Sequence, residues 1–155
     1  NETDTLDVTT VTAQRMTTLH ENDGNYVFDV GGDNVETRVV GRFAEHFVEG
    51  EYDIFCVVNA NREQTQTAEE LVRFIESSEA TSKLKVTGLI NNTHFIRQTT
   101  VEDVLKGQKL AKEVSKLTNI PIKYVSCLRE LVDSLPDDLE GDILPIDLYM
   151  REEWM

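Results

Sequence analysis

Three short polar stretches carry side chains that can bind a ligand, and each follows an apolar run. They are Asp29-Val30-Gly31-Gly32, Asn59-Ala60-Asn61 and Asn91-Asn92-Thr93. Carboxylates suit hydrated Mg²⁺, whereas glycine amides and side-chain amides suit phosphate oxygens and the edge of a purine. The alternative is that asparagine and glycine only make turns and caps after strands. The residue types therefore indicate a nucleotide site and leave a purely structural role open.

The first stretch ends an apolar run at 26–30 that predicts a strand buried on both faces. A carboxylate such as Asp29 is costly at the end of such a strand unless a metal-bound water or a hydrogen-bond donor meets it. Gly31 and Gly32 allow a backbone amide to approach a ligand closely. The alternative is that Gly31-Gly32-Asp33 makes a tight turn that caps the next helix.

The apolar periodicity predicts strands and helices in alternation. Apolar residues four apart predict a helix over 34–48. A capping-box pattern at Thr67 begins a second helix, and Thr100-Val101-Glu102-Asp103 begins a third. Continuous apolar runs predict further strands at 53–58, 84–90 and 122–127. The run at 143–149 contains Pro145, so a strand there belongs at an edge of the sheet.

This alternation predicts an α/β fold with a mostly parallel sheet, helices on both faces and right-handed crossovers. The carboxyl ends of parallel strands share one edge, so we expect the three polar stretches to line a single cleft. Residues 1–155 are predicted to form one domain, with residues 1–9 poorly ordered and a weak helix over 10–21.

The formal net charge of −14, from 29 acidic and 15 basic residues, argues against nucleic acid or an anionic membrane as the main partner. No apolar run is long enough to span a bilayer and no signal peptide is present, so we predict a cytoplasmic protein. Cys56 and Cys127 lie in apolar runs and are predicted to be buried, reduced thiols. The three histidines, His20, His46 and His94, lack metal-ligand spacing and are predicted at the surface.

An ordered series of blocks resembles a known class of protein. Asp29-Val30-Gly31-Gly32 is similar to the D-x-x-G switch II motif of P-loop NTPases, and Gly88-Leu89-Ile90-Asn91-Asn92 is similar to a strand end of MinD/ParA/CobQ-type nucleotide-binding proteins. Further blocks resemble a subgroup of bacterial ATP-binding proteins of that class: 28–33, 57–61, 85–89, 102–108, 121–126 and 154–155. The resemblance runs from about Leu6 to the C-terminus.

The resemblance implies a role for each matching position. Asp29 would hold Mg²⁺ through a water molecule, and the amide of Gly32 would sense the γ-phosphate of ATP, with Gly31 beside it as a further nucleotide-binding residue. Asn92 would read the adenine edge, with Thr93 beside it. The segment 126–135 would form the loop that packs near the base.

One element of that class is absent, because the chain contains no G-x-x-x-x-G-K-[ST]. That loop cradles the phosphates and supplies a lysine and a Mg²⁺ ligand. The chain also begins at Asn1 rather than Met, so we interpret it as the later portion of a longer nucleotide-binding domain, P-loop NTPase-like but incomplete. The intact parent is expected to be an ATP- and Mg²⁺-dependent switch that gates an unknown protein partner, whereas this chain alone is expected to be inactive and prone to self-association.

Two other functions are open at the level of the residues. One is a non-enzymatic binding or scaffold module of flavodoxin-like shape, in which Asp29 is purely structural. The other is a small hydrolase that uses Ser126 or Cys127, although the sequence offers no evident base for either nucleophile.

Overall fold

The computed structural model describes residues 27–31 and 34–149. The chain divides into two compact units. The first unit comprises Asn1–Tyr52 and Glu76–Lys85, and the second, the sheet unit, comprises Asp53–Ile75 and Val86–Met155. The predictions for residues 1–9, the helix over 10–21, Gly32 and Asp33 fall outside the described residues.

The sheet unit is built on four parallel strands. They are β1 (Phe55–Val58), β2 (Gly88–Asn91), β3 (Ile122–Leu128) and β4 (Asp142–Ile146), in the spatial order β1-β2-β3-β4. This all-parallel sheet with its connecting helices confirms the predicted α/β class. The prediction that Pro145 restricts its strand to an edge is also confirmed, since β4 is the last strand of the order.

Three α-helices are described: α1 (Asn34–Gly41), α2 (Ala68–Ser82) and α3 (Val101–Thr118). Short 3-10 helices occupy Ala44–His46, Glu63–Thr65, Ile96–Gln98 and Arg129–Ser134. The predicted capping box at Thr67 is present, and a second capping box precedes α3. Thr67 and Glu70 exchange side-chain and backbone hydrogen bonds at 3.2 and 3.3 Å, as Thr100 and Asp103 do before α3. These reciprocal bonds satisfy amide groups that a helix start otherwise leaves unpaired.

Both helices of the sheet unit pack on the same face of the sheet. One continuous core joins side chains of β1, β2 and β3 to those of α2 and α3: Cys56, Val58, Leu89, Ile122, Leu71, Ile75, Leu110, Ala111 and Val114. The sequence predicted helices on both faces. The strand order explains the shared face, because right-handed crossovers between strands added in one direction carry successive helices to the same side.

The strand predicted at 26–30 is not present in the described part of that segment. Residues 27–31 have no regular secondary structure, and Val27 is 98% exposed. None of the described strand pairings involves them. An apolar run becomes a strand when a neighbouring strand takes up its backbone hydrogen bonds, and the sequence does not encode that neighbour.

The helix predicted over 34–48 also ends early, at Gly41. Glycine is a poor helix former, and a Cβ built at this position would lie 2.5 Å from the carbonyl oxygen of Thr81. A turn and the 3-10 helix Ala44–His46 follow. None of the described helices is long and apolar enough to cross a membrane.

Candidate functional site

The polar stretches that follow β1 and β2 meet at the carboxyl edge of the sheet. The backbone N–H of Ala60 donates to Thr93 Oγ1 at 3.0 Å. From the next strand, the Ser126 hydroxyl donates to Asn92 Oδ1 at 2.7 Å. The predicted meeting of Asn59-Ala60-Asn61 with Asn91-Asn92-Thr93 is therefore confirmed, since the parallel register places their strand ends side by side.

Asn91 is part of the protein interior. Its side chain is fully buried, and its Nδ2 donates to the Val104 carbonyl at 2.9 Å while its Oδ1 accepts the Thr93 N–H at 3.2 Å. Gln108 continues this network by donating to the Glu140 carbonyl at 2.7 Å. A buried amide is costly unless its donors and acceptor are paired, so Asn91 ties β2 to α3 and is not available to a ligand.

Thr93 is similarly enclosed, with 1% of its surface exposed. Its hydroxyl lies against Gly107 of α3, where an added Cβ would overlap both Thr93 Oγ1 and Asn91 Oδ1. The family resemblance predicted that Thr93 binds the nucleotide. In this structure its oxygen serves the Ala60 amide and the contact with α3.

Asn92 differs from both of its neighbours because its side chain is only half-buried. Its backbone N–H donates to the Val58 carbonyl at 2.8 Å, which fixes the residue to the end of β1. The Ser126 hydroxyl occupies one lone pair of Oδ1. Among the described residues no group accepts from Nδ2, so this amide presents two donors and one further lone pair.

Next to Asn92, a loop carries an exposed ring and a strained backbone. Phe95 is 54% exposed, and Ile96 has a φ of 56°, a left-handed conformation that is rare for a β-branched residue. Thr99 holds this conformation by donating to the Ile96 carbonyl at 2.6 Å and accepting the Phe95 N–H at 2.9 Å. Backbone strain of this kind is concentrated at functional sites.

A charged group that sequence reasoning missed lies beside Asn61 on the same edge. Lys106 Nζ donates to Asn61 Oδ1 at 2.8 Å, and Asn61 Nδ2 donates to Asp103 Oδ1 at 3.4 Å. Desolvation is the largest single influence on the Asp103 carboxyl and raises its pKa. Hydrogen bonds from Thr100 and Asn61 and the charge of Lys106 outweigh it, so the pKa lies below the ordinary value. One signal in the sequence could have indicated this group. Lys106 follows Asp103, the acid of the capping box, by about one helical turn.

The segment 126–135, expected to pack near the base, begins in β3 and continues as the 3-10 helix Arg129–Ser134. Arg129 forms a bidentate ion pair with Asp147, in which Nη2 lies 2.6 Å from Oδ2. The hydrogen bond from Arg129 lowers the pKa of the Asp147 carboxyl. Because the two residues follow β3 and β4, the pair joins the ends of these neighbouring strands.

Asp29 and Gly31 belong to the first unit, whereas the residues described above belong to the sheet unit. Both are exposed, and the Gly31 N–H donates to the Glu36 carboxylate. The described residues contain no group of three or more histidine, cysteine, aspartate or glutamate side chains that could hold a metal ion. The Gly31 amide, expected to face a phosphate, has the Glu36 carboxylate as its acceptor. The role of Asp29 towards Mg²⁺ stays a prediction.

The candidate nucleophiles are inaccessible. Cys56 and Cys127 are buried and free, as predicted, and burial raises the pKa of the Cys56 thiol to about 11 and that of Cys127 above its ordinary value. Ser126 is 4% exposed and donates towards an amide and a carbonyl oxygen, neither of which is a general base. This geometry does not favour the hydrolase hypothesis.

Fold and site together define an α/β protein with a polar site at the carboxyl edge of a parallel sheet. No protein-family model, curated protein or solved structure matches the chain. The resemblance to MinD/ParA/CobQ-type proteins is therefore a hypothesis that depends on the sequence blocks quoted above.

Proposed function

We propose that the carboxyl edge of the sheet unit binds a purine base, and that the chain is the base-reading part of a nucleotide-dependent switch. The observation that carries this proposal is the Asn92 carboxamide, held by Ser126 at 2.7 Å with its two Nδ2 donors unused among the described residues. An adenine edge offers an acceptor nitrogen next to the N6 amino donors. Asn92 can match both, through Nδ2 and the remaining lone pair of Oδ1.

Two features of the neighbouring loop support a flat aromatic ligand. Phe95 is exposed three residues after Asn92, and the hydrogen bonds of Thr99 hold that part of the loop in a fixed conformation. Exposed aromatic rings stack on bases, which contributes about 1–3 kcal/mol per base in single-stranded nucleic-acid complexes. A hydrogen-bonding amide beside an exposed ring is a suitable combination for a purine.

The phosphates need a partner that this chain does not supply. No G-x-x-x-x-G-K-[ST] is present, so ATP and Mg²⁺ belong to the proposal only for an assembly that contains such a loop. The roles of Asp29, Gly31 and Gly32 towards Mg²⁺ and the γ-phosphate depend on the resemblance alone. The chain by itself is proposed to bind the base without hydrolysing ATP.

The base is best tested without phosphates. We expect adenosine, added to the ¹⁵N-labelled chain, to shift the Asn92 side-chain amide resonances with an affinity on the order of millimolar. Asn92→Ala should weaken adenosine at least about tenfold, because an unpaired polar group in a site costs about 1–3 kcal/mol. Guanosine, which presents the opposite donor and acceptor order, should bind more weakly than adenosine.

A matched control is Asn119→Gly, which removes an exposed carboxamide after the C-terminus of α3. This variant should bind adenosine like the wild type. If adenosine leaves the Asn92 resonances unchanged, Asn92 does not bind the base. If Asn92→Ala causes a large drop in the melting temperature together with the loss of affinity, the residue is structural. The scaffold alternative would then be the better interpretation.

Self-association is the second part of the proposal. Among the described strands, β1 lies at one end of the order, with β2 as its neighbour. An edge strand presents unpaired backbone groups that can pair with another chain. We expect concentration-dependent elution in size-exclusion chromatography. A chain that elutes as a monomer at all concentrations would contradict this expectation without affecting the purine site.

A further inference from the structure

A second candidate site lies on the outer side of α3, within the sheet unit. A groove of about 420 Å³ runs between α3 and the segment that follows the 3-10 helix Arg129–Ser134. Side chains of both segments line it: Leu105, Gln108, Lys109, Lys112, Glu113, Lys116, Pro136, Asp138 and Leu139. Apart from Gln108, these residues play no part in the hydrogen bonds described for the carboxyl edge.

One wall of the groove is a stripe of lysines. Lys109, Lys112 and Lys116 recur at the spacing that places side chains on one helix face. Among the described residues none of the three forms an ion pair or a hydrogen bond, although the protein carries 29 acidic residues. In a chain with a net charge of −14, three unpaired ammonium groups in one groove form a local positive surface.

The rest of the groove is partly apolar. Leu105 of α3 is 37% exposed and lines the groove. Pro136 and Leu139 lie on the opposite wall, where Leu139 is partly buried against the small core of Val104 and Val125. A ligand for this groove therefore needs an apolar group as well as negative charge.

We propose that this groove docks an acidic segment of a partner protein that carries at least one large apolar side chain. Its carboxylates pair with the lysine stripe, and its apolar group covers Leu105 between the two walls. The stripe from Leu105 to Lys116 spans roughly 16 Å of helix, which about five residues of an extended peptide can follow. Glu113 and Asp138 also line the groove, so its positive charge is confined to the lysine stripe. A few spaced carboxylates suit that stripe better than the continuous charge of a nucleic-acid backbone.

Fluorescence anisotropy with a labelled synthetic peptide tests this proposal. The probe is a short peptide in which glutamates surround one leucine and one phenylalanine, added to the full chain at low ionic strength. The triple variant Lys109→Glu/Lys112→Glu/Lys116→Glu should lower the affinity at least about tenfold, since three attractive pairs become repulsive. Leu105→Ser should weaken binding without changing the salt dependence, because it removes only apolar contact.

The matched control is Lys83→Glu/Arg73→Glu/Lys123→Glu, which reverses three basic residues outside the groove and has the same net charge. It should bind the peptide far better than the groove variant. An equal loss in both triple variants would mean that only the net charge matters, and would overturn the proposal. Equal binding of a peptide with alanine in place of leucine and phenylalanine would also overturn it. So would tighter binding of a thymidine oligonucleotide than of the peptide.

Discussion

The hydroxyl of Thr93 occupies the position that a side chain at Gly107 would need. A Cβ built on Gly107 would overlap Thr93 Oγ1 and the Oδ1 of Asn91. The glycine lies in the middle of α3, where it lowers helix propensity, yet it allows the helix to lie directly on the end of β2. Gly107 thus lowers the helix propensity of α3 but permits the close packing at the carboxyl edge.

The first prediction is that Gly107→Ala destabilises the protein. In an exposed helix the same change stabilises by about 1 kcal/mol, but overpacking of a filled site costs about 1–3 kcal/mol. Urea unfolding measures the difference, with Ser77→Ala on the exposed face of α2 as the control. A Gly107→Ala variant that is more stable than the wild type would show that α3 does not pack closely on Thr93.

The second prediction concerns pH. The pKa of Asp103 is lowered in the folded protein, so its ionised form contributes stability that is present above the ordinary pKa of 3.8. That contribution is lost as the pH falls through the lower pKa of the folded state. The melting-temperature gap between the wild type and Asp103→Asn should therefore be constant near neutral pH and should shrink below about pH 4. If the melting-temperature difference between the two proteins is unchanged at pH 3, the pKa of Asp103 is not lowered by folding.

The third prediction is that the thiols react slowly. With a pKa of about 11, Cys56 is ionised at pH 8 in only about one molecule in a thousand, and burial also blocks access. A thiol reagent should label Cys56 and Cys127 at the rate at which the protein opens, and at full speed in denaturant. Immediate labelling of either residue in the native protein would place it outside the core.

The fourth prediction concerns the end of α3. Asn119 has a φ of 59° and donates its N–H to the Ser115 carbonyl at 2.8 Å. Glycine adopts this left-handed conformation without strain, whereas a β-branched residue does not. Asn119→Gly should leave the free energy of unfolding unchanged or slightly raised. Asn119→Val should lower it by about 1–2 kcal/mol, measured by urea unfolding.

Local patterns in the sequence determined much of the sheet unit. The capping boxes at Thr67 and Thr100 depend on residues three apart in the chain, and both helices begin where these pairs predict. The runs that became β1, β2 and β3 were recognised from continuous apolar residues, and Pro145 indicated an edge strand correctly. Such features are visible in one sequence because the interacting groups are neighbours along it.

Only the tertiary structure decided the rest. The resemblance assigned Asn92 and Thr93 together to a nucleotide, but the structure buries Thr93 against α3, whereas no described residue accepts a hydrogen bond from the amide of Asn92. The apolar run at 27–30 has the composition of a strand, but none of the described strands pairs with it. Leu105 is an apolar residue of α3, yet it is 37% exposed and lines the groove between α3 and the segment that follows Arg129–Ser134. In each case the outcome depends on burial and pairing with residues distant in the chain, which composition and spacing do not encode.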